Sequence, residues 1–219
     1  MIKLYIIALC PIDFDEKYFV FKQFPYYLII TKESDIKEIL SQNTYKIKNF
    51  YIDKDSNNAL FDYDDISKYK ARIEKGAIIR KNVDIADSAV ILMGAVINIG
   101  AKIGENTMID MNAVIGSGAI IKNNVHISAG VVISGVLEPL SNEPVIIEDN
   151  VFIGANTTIK EGVHIQKGAI IGANSFVSKN VLEGTLNYGS PCKFIRYATK
   201  QDYENVKINP MLRNNINKN

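Results

Sequence analysis

Isoleucine returns at every sixth residue from 73 to 133: positions 73, 79, 85, 91, 97, 103, 109, 115, 121, 127 and 133 are all Ile. The rhythm breaks across "SGVLEPLSNEPVI" and resumes at Ile147, Ile153, Ile159, Ile165, Ile171 and Val177. Four residues after each of these stands a small or β-branched residue, as at Ala89, Ala95, Thr107, Val125 and Thr157; Leu137, inside the break, is the exception. A helix repeats its faces every 3.6 residues and a strand every 2, so neither produces six. A period of six is met when each hexad supplies one short strand and one corner of a parallel β-helix. The aliphatic residue then fills the interior and the small one lets the chain turn. Successive coils stack about 4.8 Å apart and satisfy one another's backbone. Gly76, Gly94, Gly100, Gly116, Gly118, Gly130, Gly154, Gly162, Gly168 and Gly172, with frequent Asn, are corner residues expected at positive φ.

Residues 1–70 have no such rhythm. The β-type runs "KLYIIAL", "YYLIIT" and "IKNFYI" alternate with "ESDIKEILSQN", where Ile36, Ile39 and Leu40 share one helical face and Ser34 or Asp35 is the expected cap. The expected organisation is a small α/β domain over 1–70 and a β-helix over 71–183 with an inserted loop at 134–146. A C-terminal extension follows over 184–219, whose polar, Asn-rich tail over 197–219 is either a short helix or a fraying end. The fold class is mainly β. The break adds eight residues between Ile133 and Ile147, and an excursion from a tight solenoid marks a functional loop.

Charge narrows the partners. Lys and Arg number 25 against 24 Asp and Glu, which argues against nucleic acid and membrane surfaces as partners. No apolar run reaches membrane-spanning length. The opening "MIKLYIIALCPI" reads as a buried strand rather than a signal peptide, so a cytoplasmic location is expected. Cys10 and Cys192 make neither a disulfide framework nor a metal site. With only His126 and His164, five hexads apart, the three-histidine zinc site of γ-type carbonic anhydrases cannot be assembled, and no metal is expected.

"MGAVINIGAKIGENTMIDMNAVIG" (93–116), "NVHISAGVVISGVLEPLSNEPVIIEDNVFIGAN" (124–156) and "KEGVHIQKGAIIGANSFVSKNV" (160–181) resemble the hexapeptide-repeat left-handed β-helix acyltransferases. Within them they are similar to the tetrahydrodipicolinate N-acyltransferases, in particular the N-acetyltransferase branch of lysine and diaminopimelate biosynthesis. The resemblance is dense over 71–197 and looser over 18–70. Gly116-Ser117-Gly118-Ala119 stands where that branch carries Gly-Gly-Arg-Ala. The resemblance implies three strands per 18-residue coil, left-handed winding, a homotrimer with active sites between subunits, and acetyl-CoA or succinyl-CoA as co-substrate. The acceptor it implies is the amine of a small dicarboxylate, the acyclic form of tetrahydrodipicolinate. N-succinyl transfer to the same acceptor and N-acetyl transfer to an amino-sugar nucleotide are the alternatives, and a non-catalytic trimeric scaffold is the remaining rival.

An amine attacking a thioester needs its proton removed and the oxyanion stabilised. Asp110 follows Ile109, where a side chain points outward. The family motif has an aspartate there facing the substrate amine, against the plainer reading of a turn-capping corner. His126 lies one coil above the Asp110 region and can accept a proton or hydrogen-bond the thioester; a structural corner histidine is the plain reading. Glu138 on the break is a base, a substrate contact or a surface charge. Ser128, Asn98, Asn112 and Arg80 are the candidate substrate contacts. Coenzyme A is expected along the later coils at Gly154-Ala155 and Gly172-Ala173, with Lys193, or alternatively Arg196, at the nucleotide phosphates.

Overall fold

The computed structural model describes residues 2–53, 63–138, 140 and 143–213. The chain divides into two compact units, Met1–Leu60 and Phe61–Asn219. In the first, β1 (Ile2–Ala8), β2 (Phe19–Gln23), β3 (Tyr26–Thr31) and β4 (Ile47–Asp53) form a sheet in the order β2-β3-β1-β4. Leu4, Ile6 and Ala8 alternate inward and pack with Ile29 and with Ile39 of helix α1 (Glu33–Gln42). β2 is an addition to the sequence expectation. It is an edge strand whose residues are nearly all exposed, so the alternation that marks a half-buried strand is missing. The expected cap is corrected too: Lys32 is the N-cap and makes no side-chain capping bond. Asp35 instead accepts from Thr31 Oγ1 at 3.0 Å and Ser34 Oγ at 2.8 Å.

In the second unit the hexads build a three-faced parallel β-helix. The first face runs from Asp84–Ile85 to His164–Ile165, the second from Arg72–Ile73 to Lys193–Tyr197, the third from Ile78–Ile79 to Phe176–Val177. Coils align with an 18-residue offset, so Met108 pairs with His126 and Ile109 with Ile127. Each two-residue strand points its first side chain out and its second in, and Ile91, Ile109, Ile127, Ile153 and Ile171 are fully buried. Burying each contributes about 1.5–3 kcal/mol. The small residues also face the core: Ala95, Ala101 and Ala113 have no exposed surface. Buried Thr107 is satisfied by donating to the Lys122 carbonyl at 2.6 Å.

Corners follow two rules. Gly94, Gly100 and Gly118 are at positive φ, as are Asn82, Asn106, Asn112, Asn124, Asn150, Asn156 and Asn174. Gly116, Gly154 and Gly172 are not, which corrects the expectation for those three. They lack a side chain because the next coil lies too close: a Cβ on Gly172 would meet Tyr188 Cβ at 2.8 Å.

The inserted loop leaves the ladder intact, because Ile146 stacks directly on Ile120. Pro139, Ser141 and Asn142 of that loop lie outside the described residues. Its first residues are held by buried Ser117, whose Oγ accepts from Val136 N–H at 3.1 Å. After the coils, Lys193–Tyr197 pairs antiparallel with Thr185–Tyr188, and helix α2 (Lys200–Asn205) starts with a Thr199–Asp202 capping box. Beyond it the chain returns along the second face. The Leu212 carbonyl accepts from Arg72 at 2.6 Å, and Arg213 Nε donates to the Asn106 carbonyl at 2.8 Å. Val90 and Met108, outward in the ladder between Arg72 and His126, are buried along that path. Residues 214–219 of the expected extension lie outside the described residues.

Candidate active site

Where the second face turns into the third, each coil contributes the residue just after its inward Ile. Asp110, Ser128, Gly154 and Gly172 form this edge. Their amides donate in turn to the carbonyls of Ile127, Ile153, Ile171 and Asn187 at 2.8–3.0 Å. The hexad period therefore gathers one catalytic candidate, one substrate candidate and two coenzyme candidates in a single column. Arg80 and Asn98 stand on a different edge, after the third-face strands Ile78–Ile79 and Val96–Ile97. Arg80 bridges to Tyr63, and Asn98 Oδ1 accepts from Ile99 N–H at 2.8 Å. Asn112 is an exposed corner residue with φ 57°.

Asp110 divides its two oxygens. Oδ1 accepts from Met111 N–H at 2.7 Å, the turn-capping role. Oδ2 faces His126 Nε2 at 3.9 Å, with side chains 19% and 22% exposed. The imidazole lies flat on Phe152, ring centroids 5.2 Å apart and planes 7° from parallel. Its Nδ1 faces Arg213 NH2 at 3.5 Å. Burial, and then the Arg213 charge, hold the His126 pKa below the ordinary imidazole value, while Asp110 works in the opposite direction. The ring is neutral near pH 7. An open groove of about 220 Å³ adjoins it, lined by Asn124, His126, Phe152, Tyr203, Lys207 and Ile208 among others.

Glu138 is exposed in the loop, and no hydrogen bond ties it to Asp110 or His126 among the described residues. Along the coenzyme column, the Gly154 and Gly172 amides are spent in the ladder, as are those of Asn156 and Asn174. The Ala155 and Ala173 amides have no partner in it. One coil lower than Ser128, the equivalent amide of Met111 is the one that Asp110 takes. Lys193 is exposed on its strand. Arg196 is committed: it forms a two-pronged pair with Asp202 at 2.6 and 3.0 Å, and that guanidinium holds the Asp202 carboxyl far below its usual range. Among the described residues no group of three or more His, Cys, Asp and Glu is placed to hold a metal.

Sequence reasoning missed Phe152, Tyr203 and Arg213. Phe152 had a signal, since the usual 18-residue step lengthened by the eight residues of the break lands on it. Arg213 had none; only the chain's return path brings it to His126.

Residues 100–135 match the bacterial transferase hexapeptide repeat, and residues 144–179 the hexapeptide repeat of succinyl-transferase. The 2,3,4,5-tetrahydropyridine-2,6-dicarboxylate N-acetyltransferase of Thermotoga sp. (strain RQ2) is 49% identical over 94% of this chain and 88% of its own. The chain belongs to the tetrahydrodipicolinate N-acetyltransferase family. The enzyme of that name from Clostridium botulinum (strain Alaska E43 / Type E3) is 52% identical over 78% of this chain and 72% of its own. A perosamine N-acetyltransferase from Caulobacter crescentus, solved as a point mutant in complex with CoA and GDP-perosamine, superposes with a TM-score of 0.53. It is 22% identical and covers 57% of this chain and 56% of that one, a likeness of fold alone. The coil is the left-handed parallel β-helix of these acyltransferases, and the family uses an acyl-CoA co-substrate. Among the described residues no helix is long and apolar enough to cross a membrane.

Proposed function

We propose that this chain is an acetyl-CoA-dependent N-acyltransferase that acetylates the amino group of acyclic tetrahydrodipicolinate in lysine and diaminopimelate biosynthesis. The observation that carries the reading is the Asp110–His126 pair, 3.9 Å apart, with Asp110 on the edge shared with Gly154 and Gly172, in a chain nearly half identical to enzymes of that name. In the reaction the amine lone pair attacks the thioester carbonyl carbon. The carbon–sulfur bond then breaks, and the proton lost by nitrogen ends on the departing thiol. Asp110 Oδ2 receives the amine and its proton, and His126 serves the reacting carbonyl. The Ala155 and Ala173 amides meet the pantetheine amides, and Lys193 meets the nucleotide phosphates, since Arg196 is occupied by Asp202. Ser128 borders the acceptor; Glu138, Asn98, Asn112 and Arg80 are assigned to the dicarboxylate only as contacts reached from a neighbouring subunit's cleft.

The working form is a homotrimer in the cytoplasm. What supports the trimer is the third face, whose outward column of Ile78, Val96, Val114, Val132, Thr158 and Phe176 is apolar but for one threonine and largely exposed. Such a stripe marks a surface made to be covered, and Asp110 sits at its margin.

A thiol-release assay tests the reading, with acetyl-CoA and succinyl-CoA as donors and tetrahydrodipicolinate or amino-sugar nucleotides as acceptors. Turnover is expected with acetyl-CoA and tetrahydrodipicolinate. Turnover with sugar nucleotides alone overturns the acceptor, and a preference for succinyl-CoA overturns the donor.

A further inference from the structure

We infer that Arg213 is a positioning residue that fixes the tautomer of His126, so that His126 acts in acyl transfer as a hydrogen-bond donor through Nε2 and not as the base. The inference rests on the proposed acyl transfer and decides between the two roles a neutral imidazole can play in it.

Arginine carries only donors and stays protonated in proteins, so whatever atom faces it must accept. Arg213 NH2 faces His126 Nδ1 at 3.5 Å. A neutral ring bears one N–H, and with Nδ1 accepting, the proton resides on Nε2. Nε2 points at Asp110 Oδ2, 3.9 Å away, an acceptor with which the Nε2–H tautomer agrees and the Nδ1–H tautomer clashes in sign. Both neighbours thus select the same form.

Arg213 is itself held. It is 8% exposed, its Nε donates to the Asn106 carbonyl at 2.8 Å, and the preceding Leu212 carbonyl is gripped by Arg72 at 2.6 Å. Phe152 pins the ring plane from one side. Phe152 thus holds the imidazole plane and the anchored guanidinium holds the face toward Nδ1, so the tautomer is set by a residue 87 positions on in the chain. The other groups that bear on its charge are few: Asp110 on its own face, and Tyr203 and Lys207 across the groove.

A ring with Nε2–H and an engaged Nδ1 has no free lone pair toward the edge. It donates from Nε2 to the oxygen of the thioester as negative charge grows there. The proton released by the attacking nitrogen then goes to the Asp110 carboxylate and on to the coenzyme A sulfur as the carbon–sulfur bond breaks. No proton is created or lost.

The sequence has only two histidines, His126 and His164, so imidazole-15N labelling gives two ring systems, with His164, held by Glu148 at 2.9 Å, as internal control. In the wild-type protein above pH 7, the His126 15N shifts are expected to report Nε2–H almost exclusively. In Arg213→Met the ring should become a mixture of both tautomers and its titration should move toward higher pH, with His164 unchanged. kcat should fall about tenfold to a hundredfold, with the KM for acetyl-CoA held within about twofold. Arg213→Lys, which keeps a cationic donor, should restore much of the tautomer preference. A His126 ring protonated on Nδ1 in the wild type, or a tautomer untouched in folded Arg213→Met, overturns the inference. The NMR readout needs no substrate, so a failed acceptor assignment and a failed tautomer assignment are told apart.

Discussion

Replacing Asp110 by Asn removes the charge that faces His126 and keeps the side chain's shape. At 3.9 Å a carboxylate and an imidazolium attract by about 1 kcal/mol in water-like surroundings and about 4 kcal/mol at an effective dielectric near 20. Both side chains retain roughly a fifth of their surface, 19% and 22%, so the attraction lies toward the lower end, about 1–2 kcal/mol. Losing it should make the His126 imidazolium about tenfold harder to form. The His126 titration, already held low by burial and Arg213, should move to still lower pH. The rate should fall by about 10²- to 10⁴-fold, the usual loss when a positioned proton acceptor is removed. The KM for acetyl-CoA should hardly change, because Oδ2 faces the His126 ring and the Ala155 and Ala173 amides assigned to the coenzyme lie on other coils. A 15N titration of His126 and pH-resolved thiol release measure the two effects separately. An unmoved or raised His126 titration would mean that the carboxylate does not face the ring in solution. A fully active Asp110→Asn would show that the amine's proton never passes through this residue.

Two further outcomes follow from the geometry. Gly154→Ala would set a methyl group 2.8 Å from Ala173 Cα and closer still to its amide nitrogen; it should destabilise the coil unit by about 1–3 kcal/mol and raise the KM for acetyl-CoA. Thermal unfolding with steady-state kinetics checks both, and an unchanged melting temperature would contradict the close approach of the coils. Burial lowers the His126 pKa below 6.5, so the unfolded chain takes up the proton first on acidification. The stability tied to the neutral ring is then fully present above pH 6.5 and is lost as pH falls from there through the lower folded value. Denaturant unfolding between about pH 8 and about pH 5 should show this loss, and His126→Asn should lessen it; a slope of opposite sign would refute the buried neutral ring.

How far the site could be read ahead depended on which residues obey the period. Asp110, Ser128, Gly154 and Gly172 were legible because eighteen residues bring the chain back to the same edge, apart from the one long step across the inserted loop. Phe152 required counting that loop into the step, since Ile146 resumes directly above Ile120. Gly116, Gly154 and Gly172 were assigned the right residue type for the wrong reason, because close packing of coils imitates a conformational need for glycine. Strand β2 escaped notice because an exposed edge strand leaves no alternation to read.

The sequence by itself determined the prism. An aliphatic residue every sixth position can be buried in no other regular way, and each coil's backbone is satisfied by its neighbour, so local text fixes the long-range contacts. It also determined which residues share an edge. Only the tertiary structure decided what meets His126 from outside that lattice. The return of the chain past helix α2 brings Arg213 to the imidazole through contacts 87 and 107 residues apart. No period records such an encounter, because it depends on where a non-repeating segment comes to rest.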